Sequence, residues 1–220
     1  MLFNRNMEND LIFDKIYKEG LWGVNSDGVS ISGTGSHENK IIYPYIINII
    51  DFLLEKRPLN IVDLGCGDFH IGKYFTAYVN QYIACDVSKV VLERNKNKFS
   101  SLSNVDFRFL DLSKNDLPEG DVCFVRQVLQ HLSNADILNF VNKVNLNKPY
   151  KYLIVTEHLP KDRNFDANLD LKSGRAIRLF VNKSGVVLHK PPFNLSFTKD
   201  SNMLDVYQYG GVIKTVVYEF

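Results

Sequence analysis

The chain has 220 residues, 45% of them hydrophobic and 23% charged, with a formal net charge of +1. That length suits one domain with a full core, and the composition excludes a chain disordered throughout. The near-neutral balance lacks the basic excess of a phosphate-reading protein, so no nucleic-acid partner is expected.

The N-terminus shows no continuous apolar run of the signal-peptide kind. The longest apolar stretch, near Ile41–Leu54, is interrupted by Tyr, Pro, Asn and Asp and is too polar to span a bilayer. A cytoplasmic protein with no membrane partner is expected. The three cysteines, Cys66, Cys85 and Cys123, lie in or beside apolar runs and read as small buried residues in a reducing compartment.

In chain order, apolar residues at helical spacing (Leu11, Ile12, Ile16, Tyr17) predict a helix over Met7–Glu19, stopped at Gly20. Leu21–Lys40 is too polar for a strand and too glycine-rich for a helix. It reads as a long loop of the kind that forms lids, with Trp22 as an aromatic wall or an anchor for the first helix, and Gly33, Gly35 and Ser36 for close backbone contacts. A helix is expected at Ile41–Glu55, ended by Pro58. Strand Asn60–Leu64, helix Ile71–Val79, strand Tyr82–Cys85, helix Ser88–Phe99 with Ser88 as N-cap, and strand Val105–Leu110 follow. Strand Asp121–Val125, helix Asn134–Val144 and strand Tyr150–Thr156 continue the alternation, which implies a parallel sheet covered on both faces. Leu159–Ser201 breaks the rhythm with weak periodicity. Leu204–Tyr209 and Val212–Tyr218 then read as strands joined by Gly210-Gly211, which suits a tight hairpin turn.

The strongest motif is VDLGCGDFHIG, Val62–Gly72, placed directly after a strand. Gly65 and Gly67 allow a sharp turn and a close backbone approach to a ligand at the strand's carboxyl end. A dinucleotide fingerprint needs a third glycine where His70 stands. Asp63, immediately before the turn, suits a cationic ammonium and sits poorly beside a pyrophosphate. Asp86 with Val87 follows the next strand, where an acid can accept two ribose hydroxyls. Asp111 with Leu112 follows the third, where a carboxylate can accept from an adenine amino group.

These residues resemble the class I S-adenosylmethionine (SAM)-dependent methyltransferases over roughly Asn39–His158. The resemblance implies an α/β fold: a Rossmann-like seven-stranded, mostly parallel sheet with a C-terminal antiparallel hairpin and helices on both faces. It implies SAM as cofactor, held by Asp63, Gly65, Cys66, Gly67, Asp86, Val87, Asp111, Leu112 and Arg126, with no metal. Asp121–Leu132 resembles the family's fourth strand and turn, which puts Arg126 at the methionine end. Phe69 departs from the family, where a small residue is common. The whole chain, 1–220, is then one domain: N-terminal helix and lid loop in 1–40, cofactor-binding core in 41–158, acceptor-site insertion in 159–202 and terminal hairpin in 203–220.

Methylation of an oxygen calls for a group to take its proton. His131 and His158 follow the fourth and fifth strands, and one of them is the expected general base, oriented by Glu157 or another carboxylate. His70 reads as a cofactor-loop or helix-start residue. Arg175 and Arg178 in the insertion are expected to grip an anionic small-molecule acceptor, such as a phosphorylated metabolite or nucleotide-linked sugar. The motif that marks amino methylation of nucleic-acid bases is missing after the fourth strand, as is a Pro-Cys nucleophile. The chain also resembles, more loosely, bacterial members of the family that accompany surface-polysaccharide genes, which implies O-methylation of a capsule precursor. An N-methyltransferase of protein or nucleic acid and a non-catalytic SAM-binding partner remain the alternatives. The oligomeric state is left open.

Overall fold

The computed structural model describes residues 8–220. Met7, where the periodicity places the start of the first helix, lies outside the described residues. That helix, α1, covers Asn9–Lys18 and buries Phe13, Ile16 and Tyr17 on one face. α2 (Asn39–Lys56) buries Ile42, Tyr45, Ile46, Ile49 and Leu53, the three-and-four spacing of a helix lying on a sheet. It tolerates Pro44 in its second turn and stops at Arg57, which adopts the left-handed conformation.

β1 (Asn60–Leu64), β2 (Gln81–Asp86), β3 (Val105–Phe109), β4 (Gly120–Arg126) and β5 (Tyr150–Pro160) are parallel. β7 (Gly211–Glu219) pairs antiparallel with both β5 and β6 (Lys199–Gln208), giving the order β3-β2-β1-β4-β5-β7-β6. The central strands are unbroken apolar runs because both sheet faces are covered. Alternation splits their side chains between two cores. Val62, Leu64, Cys123 and Val125 meet α1 and α4 (Asn134–Asn147), whereas Ile61, Val122 and Phe124 meet α2. Ser88 caps α3 (Lys89–Lys98) by accepting from Val91 N, and Ser133 caps α4 by accepting from Asp136 N. No helix among the described residues is long and apolar enough to cross a membrane.

Two local expectations change. Ile71–Val79 is two 3-10 turns, Gly72–Tyr74 and Thr76–Tyr78. Gly72 and the aromatic and β-branched residues after it are weak helix formers, and they pack as turns against the sheet. The hairpin turn is Tyr209-Gly210 with Gln208 paired to Gly211, one residue earlier than the glycine pair suggests. Both turn residues have positive φ, at 48° and 76°. The segment after β5, weakly periodic in sequence, adds to the core as well as to a cleft at the carboxyl ends of the strands. Its Val186, Leu188, Phe193 and Leu195 enter the α1/α4 core, and it carries a short helix, α5 (Arg178–Asn182).

Candidate active site

A cleft of about 700 Å³ opens at the carboxyl ends of β1 to β5, where parallel sheets bind ligands. Asp111, Asp86, Asp63, Arg126 and His158 all line it. They lie at or near the carboxyl ends of β3, β2, β1, β4 and β5, in that order across the sheet. With strands ~4.8 Å apart, the row spans roughly 19 Å. The sequence separates Asp63 from His158 by most of the core, and the topology puts their strands only two places apart in the sheet.

Asp63 is buried at the tip of β1 and accepts from the Tyr82 hydroxyl at 2.9 Å. Burial pushes its carboxyl up to about 7; the Tyr82 bond and Arg126 offset only part of that. It is a carboxylate short of positive charge, which fits the ammonium group of a bound amino acid. Gly65, at φ 83°, forms the turn beyond it, and a Cβ there would lie 2.3 Å from Val128 Cγ2. Any side chain there would collide with Val128, so the turn requires glycine. Asp86 Oδ2 accepts from Gly67 N at 2.9 Å and Oδ1 from Ser88 N at 2.8 Å, so the acid fixes the glycine turn while facing the cleft. Burial raises its carboxyl to about 6. Asp111 Oδ1 is held by Ser113, and Oδ2 takes a longer 3.4 Å bond from Asn9. Cys66, Val87 and Leu112 complete this wall. Cys66, Cys85 and Cys123 are all free thiols, with Cys66 half-buried.

Phe69 does not intrude on this wall. It adopts φ 57° and turns its ring into the core among Tyr82, Phe99 and Phe107. The bulky residue is accommodated behind the turn.

The glycine-rich stretch after α1 covers the cleft. Ser32 N and His37 Nε2 both reach Asp68 Oδ2, at 3.1 and 2.6 Å, and the His37 ring stacks on His70 at 4.2 Å. Arg126 reaches across to the Gly35 carbonyl at 2.8 Å and Ser36 Oγ at 3.3 Å, over the Tyr45 ring. Its Nε is buried without a partner, a donor suited to a carboxylate. Tyr209 of the hairpin tip hydrogen-bonds Glu38 at the far end of the loop. Asp68, Ser32, His37 and Tyr209 were not among the residues singled out from sequence. Asp68 stands inside the glycine motif and was legible there, whereas the others are joined only by the fold.

On the acceptor side the two histidines differ. His131 Nδ1 lies 3.2 Å from the carbonyls of both Gly174 and Ala176, so that nitrogen carries the proton. Its Nε2 faces the Gln130 amide at 3.3 Å, Trp22 packs on its ring, and burial drags its basicity down to about 4. His158 Nε2 donates to the Gln208 carbonyl at 3.1 Å, which leaves the lone pair on Nδ1. Burial also lowers its basicity. Glu157 does not orient it. Successive strand residues face opposite sides, and Glu157 Oε1 instead accepts from Leu129 N at 3.1 Å. A backbone carbonyl does the orienting, a role no sequence motif announces.

Arg178 is corrected as well. It is fully buried, and its guanidinium donates to the carbonyls of Leu169, Leu129 and Leu132 and to Asn134 Oδ1 at 2.6–3.0 Å. With its donors committed to the turn after β4, it is not an acceptor grip. Arg175 lines the cleft. Trp22 lines it too, while packing on Phe13 and Tyr17 of α1.

Residues 62–146 match the family model described as a methyltransferase domain. No curated protein sequence matches the chain significantly. Among solved structures, the chain is similar to the N-methyltransferase NodS from Bradyrhizobium japonicum WM9 in complex with S-adenosyl-L-homocysteine. TM-score is 0.66 and identity 10%, covering 94% of this chain and 98% of that one. It is similar to the N-terminal domain of EvdMO1 crystallised in the presence of S-adenosylhomocysteine and D-fucose, at 0.57 and 12%, covering 98% and 99%. It is also similar to the methyltransferase domain of a bacterial CtHen1, at 0.57 and 17%, covering 80% and 98%. The sheet order is that of the methyltransferase structures above, and the match to a methyltransferase domain falls on the segment that carries the glycine turn and the β4 end of the cleft. The charge-deficient Asp63 beside the tight Gly65 turn fits the ammonium end of S-adenosyl-L-methionine.

Proposed function

We propose that this enzyme methylates a hydroxyl of a small anionic acceptor, a sugar, nucleotide-sugar or phosphorylated capsule precursor, with His158 as general base. The observation that carries the reading is the tautomer of His158. Its Nε2–H is spent on the Gln208 carbonyl, so Nδ1 is the basic atom, in the same cleft as Asp63 and Arg126.

The bound cofactor supplies a methyl carbon made electrophilic by its sulfonium. Asp63, Asp86 and Asp111 hold ammonium, ribose and adenine in the order of their strands, leaving the mouth over β4 and β5 for the acceptor. Nδ1 of His158 takes the proton of the acceptor hydroxyl, whose oxygen would receive the methyl group as its bond to sulfur breaks and neutral S-adenosylhomocysteine leaves. Arg175 offers the acceptor's anionic group a cation at the cleft wall. His131, with Gln130 against its Nε2 and its basicity suppressed, serves as a wall. The sugar class draws support from the EvdMO1 domain, whose crystals included D-fucose.

The test is methyl transfer from labelled SAM to phosphorylated sugars and nucleotide-sugars by wild type and His158→Ala. The substitution is expected to lower kcat by about 10²–10⁴-fold with S-adenosylhomocysteine affinity intact. Because burial depresses His158, the acid limb of kcat falls below the ordinary histidine range, and the rate is flat from neutral pH upward. A His158→Ala enzyme with wild-type turnover would remove that residue from the role.

A further inference from the structure

We infer that Tyr209 and Phe180 form an aromatic slot on either side of His158 that selects a cyclic acceptor, a pyranose ring. The inference rests on the cleft being the methyl-transfer site and names what its mouth recognises. The Phe180 ring centre lies 5.9 Å from that of His158 at 81°, and the Tyr209 ring centre lies 6.4 Å away at 61°. All three line the cleft. His158 is 4% exposed, while Phe180 is 60% and Tyr209 41% exposed, so the buried base touches two aromatic side chains that stay open. Large apolar side chains left open at the mouth of a cleft mark a contact surface.

Tyr209 also pays a conformational cost to be there. It occupies the first turn position at φ 48°, where hairpins favour Asn or Gly and a bulky aromatic is strained. The geometry of the turn gives no reason for Tyr at this position. Its hydroxyl is tied to Glu38, which holds the ring across the cleft mouth. The neighbouring Gly211 brings the hairpin close enough. A Cβ there would fall 2.8 Å from His158 Nε2 and 2.5 Å from the Leu159 carbonyl. The hairpin tip therefore delivers both the carbonyl that orients the base and the ring that walls its substrate.

A pyranose matches this chemistry. Its C–H faces suit aromatic rings, and its edge of hydroxyls suits His158, the Glu38 carboxylate and Arg175 at the rim. A linear polyol offers no face for the rings, and a simple phenol offers no further hydroxyls for the rim.

Trp22 is the only tryptophan and lines the cleft, so its fluorescence reports binding without turnover. With saturating S-adenosylhomocysteine, methyl pyranosides are expected to bind at least about tenfold tighter than sorbitol or phenol, and Phe180→Ala and Tyr209→Asn each to weaken them by at least about fivefold. S-adenosylhomocysteine affinity should stay within about twofold, and Tyr209→Asn should melt no lower than wild type, since Asn suits the turn. Phe180→Ala, at an exposed position, keeps the test independent of the hairpin. Unchanged pyranoside affinity in both variants, equal or tighter binding of sorbitol or phenol, or no pyranoside binding by wild type overturns the slot. Pyranoside binding as stated, with no methylated product from any acceptor, would leave the slot standing and sink the transfer role of His158.

Discussion

Asp63 shows how a single burial sets a binding property. In the free enzyme its carboxyl is raised to about 7 because it is desolvated faster than Tyr82 and Arg126 can compensate. Below that pH the group is protonated and offers nothing to an ammonium. SAM affinity is therefore expected to fall by about tenfold per pH unit as pH drops below about 7, with proton release on binding in that range. Calorimetry in buffers of different ionisation enthalpy measures both. Asp63→Asn should bind at least about tenfold more weakly at pH 8 and lose the pH dependence. A slope that survives in that variant would assign it to another group. The role suggested for Asp63 could be read from the chain because an acid directly before a glycine turn has a local chemical meaning. The partner of His158 could not, because Gln208 acts through its carbonyl, and backbone groups are the same in every residue.

At the scale of elements, the turn from β4 to α4 is a clamped unit. Glu157 accepts from Leu129 N at its start, and Arg178 donates to the Leu129 and Leu132 carbonyls around it. Removing the guanidinium leaves buried carbonyls unpaired. Arg178→Met is expected to cost about 3 kcal/mol, roughly 6–12 °C in Tm for a chain of this size. Arg175→Ala should leave Tm unchanged and raise acceptor KM. Thermal melts paired with kinetics separate the two arginines, and a normal melt for Arg178→Met would return it to the acceptor-gripping role expected from the sequence. Gly-Arg-x-x-Arg looks like one basic patch in sequence, yet a short helix turns one arginine inward. The parallel core was legible because both-face burial writes continuous apolar runs such as Val122–Val125. The terminal strands were legible too, though β6 begins at Lys199, five residues before its apolar stretch, since edge residues there stay exposed. The segment between them was not. Its core residues, Val186 to Leu195, follow no repeat because irregular backbone delivers them.

For the whole molecule, the cofactor-free fold carries acids that it holds poorly as anions. Asp63, Asp86 and Glu157 are raised to about 7, 6 and 8, each chiefly by burial. Raised carboxyls bind protons more tightly folded than unfolded. Their effect on stability is thus favourable at low pH and is lost progressively as pH rises from about 4 through about 8. On the proposed reading SAM reverses part of this, because its ammonium would pair with the ionised Asp63. Ligand at 100 times its Kd adds about 2.7 kcal/mol, and since affinity rises toward pH 8, the Tm gain at a fixed SAM concentration should be larger at pH 8 than at pH 6. Melting curves with and without SAM at the two pH values decide it. A larger gain at pH 6 would mean the cleft binds its ligand through a protonated group, and Asp63 would not be the ammonium's partner. Glu157 lies off the cleft, with Oε2 buried and unpartnered. Its share of the decline should persist in the bound enzyme and vanish in Glu157→Gln, so the two acids can be told apart by whether ligand removes their contribution.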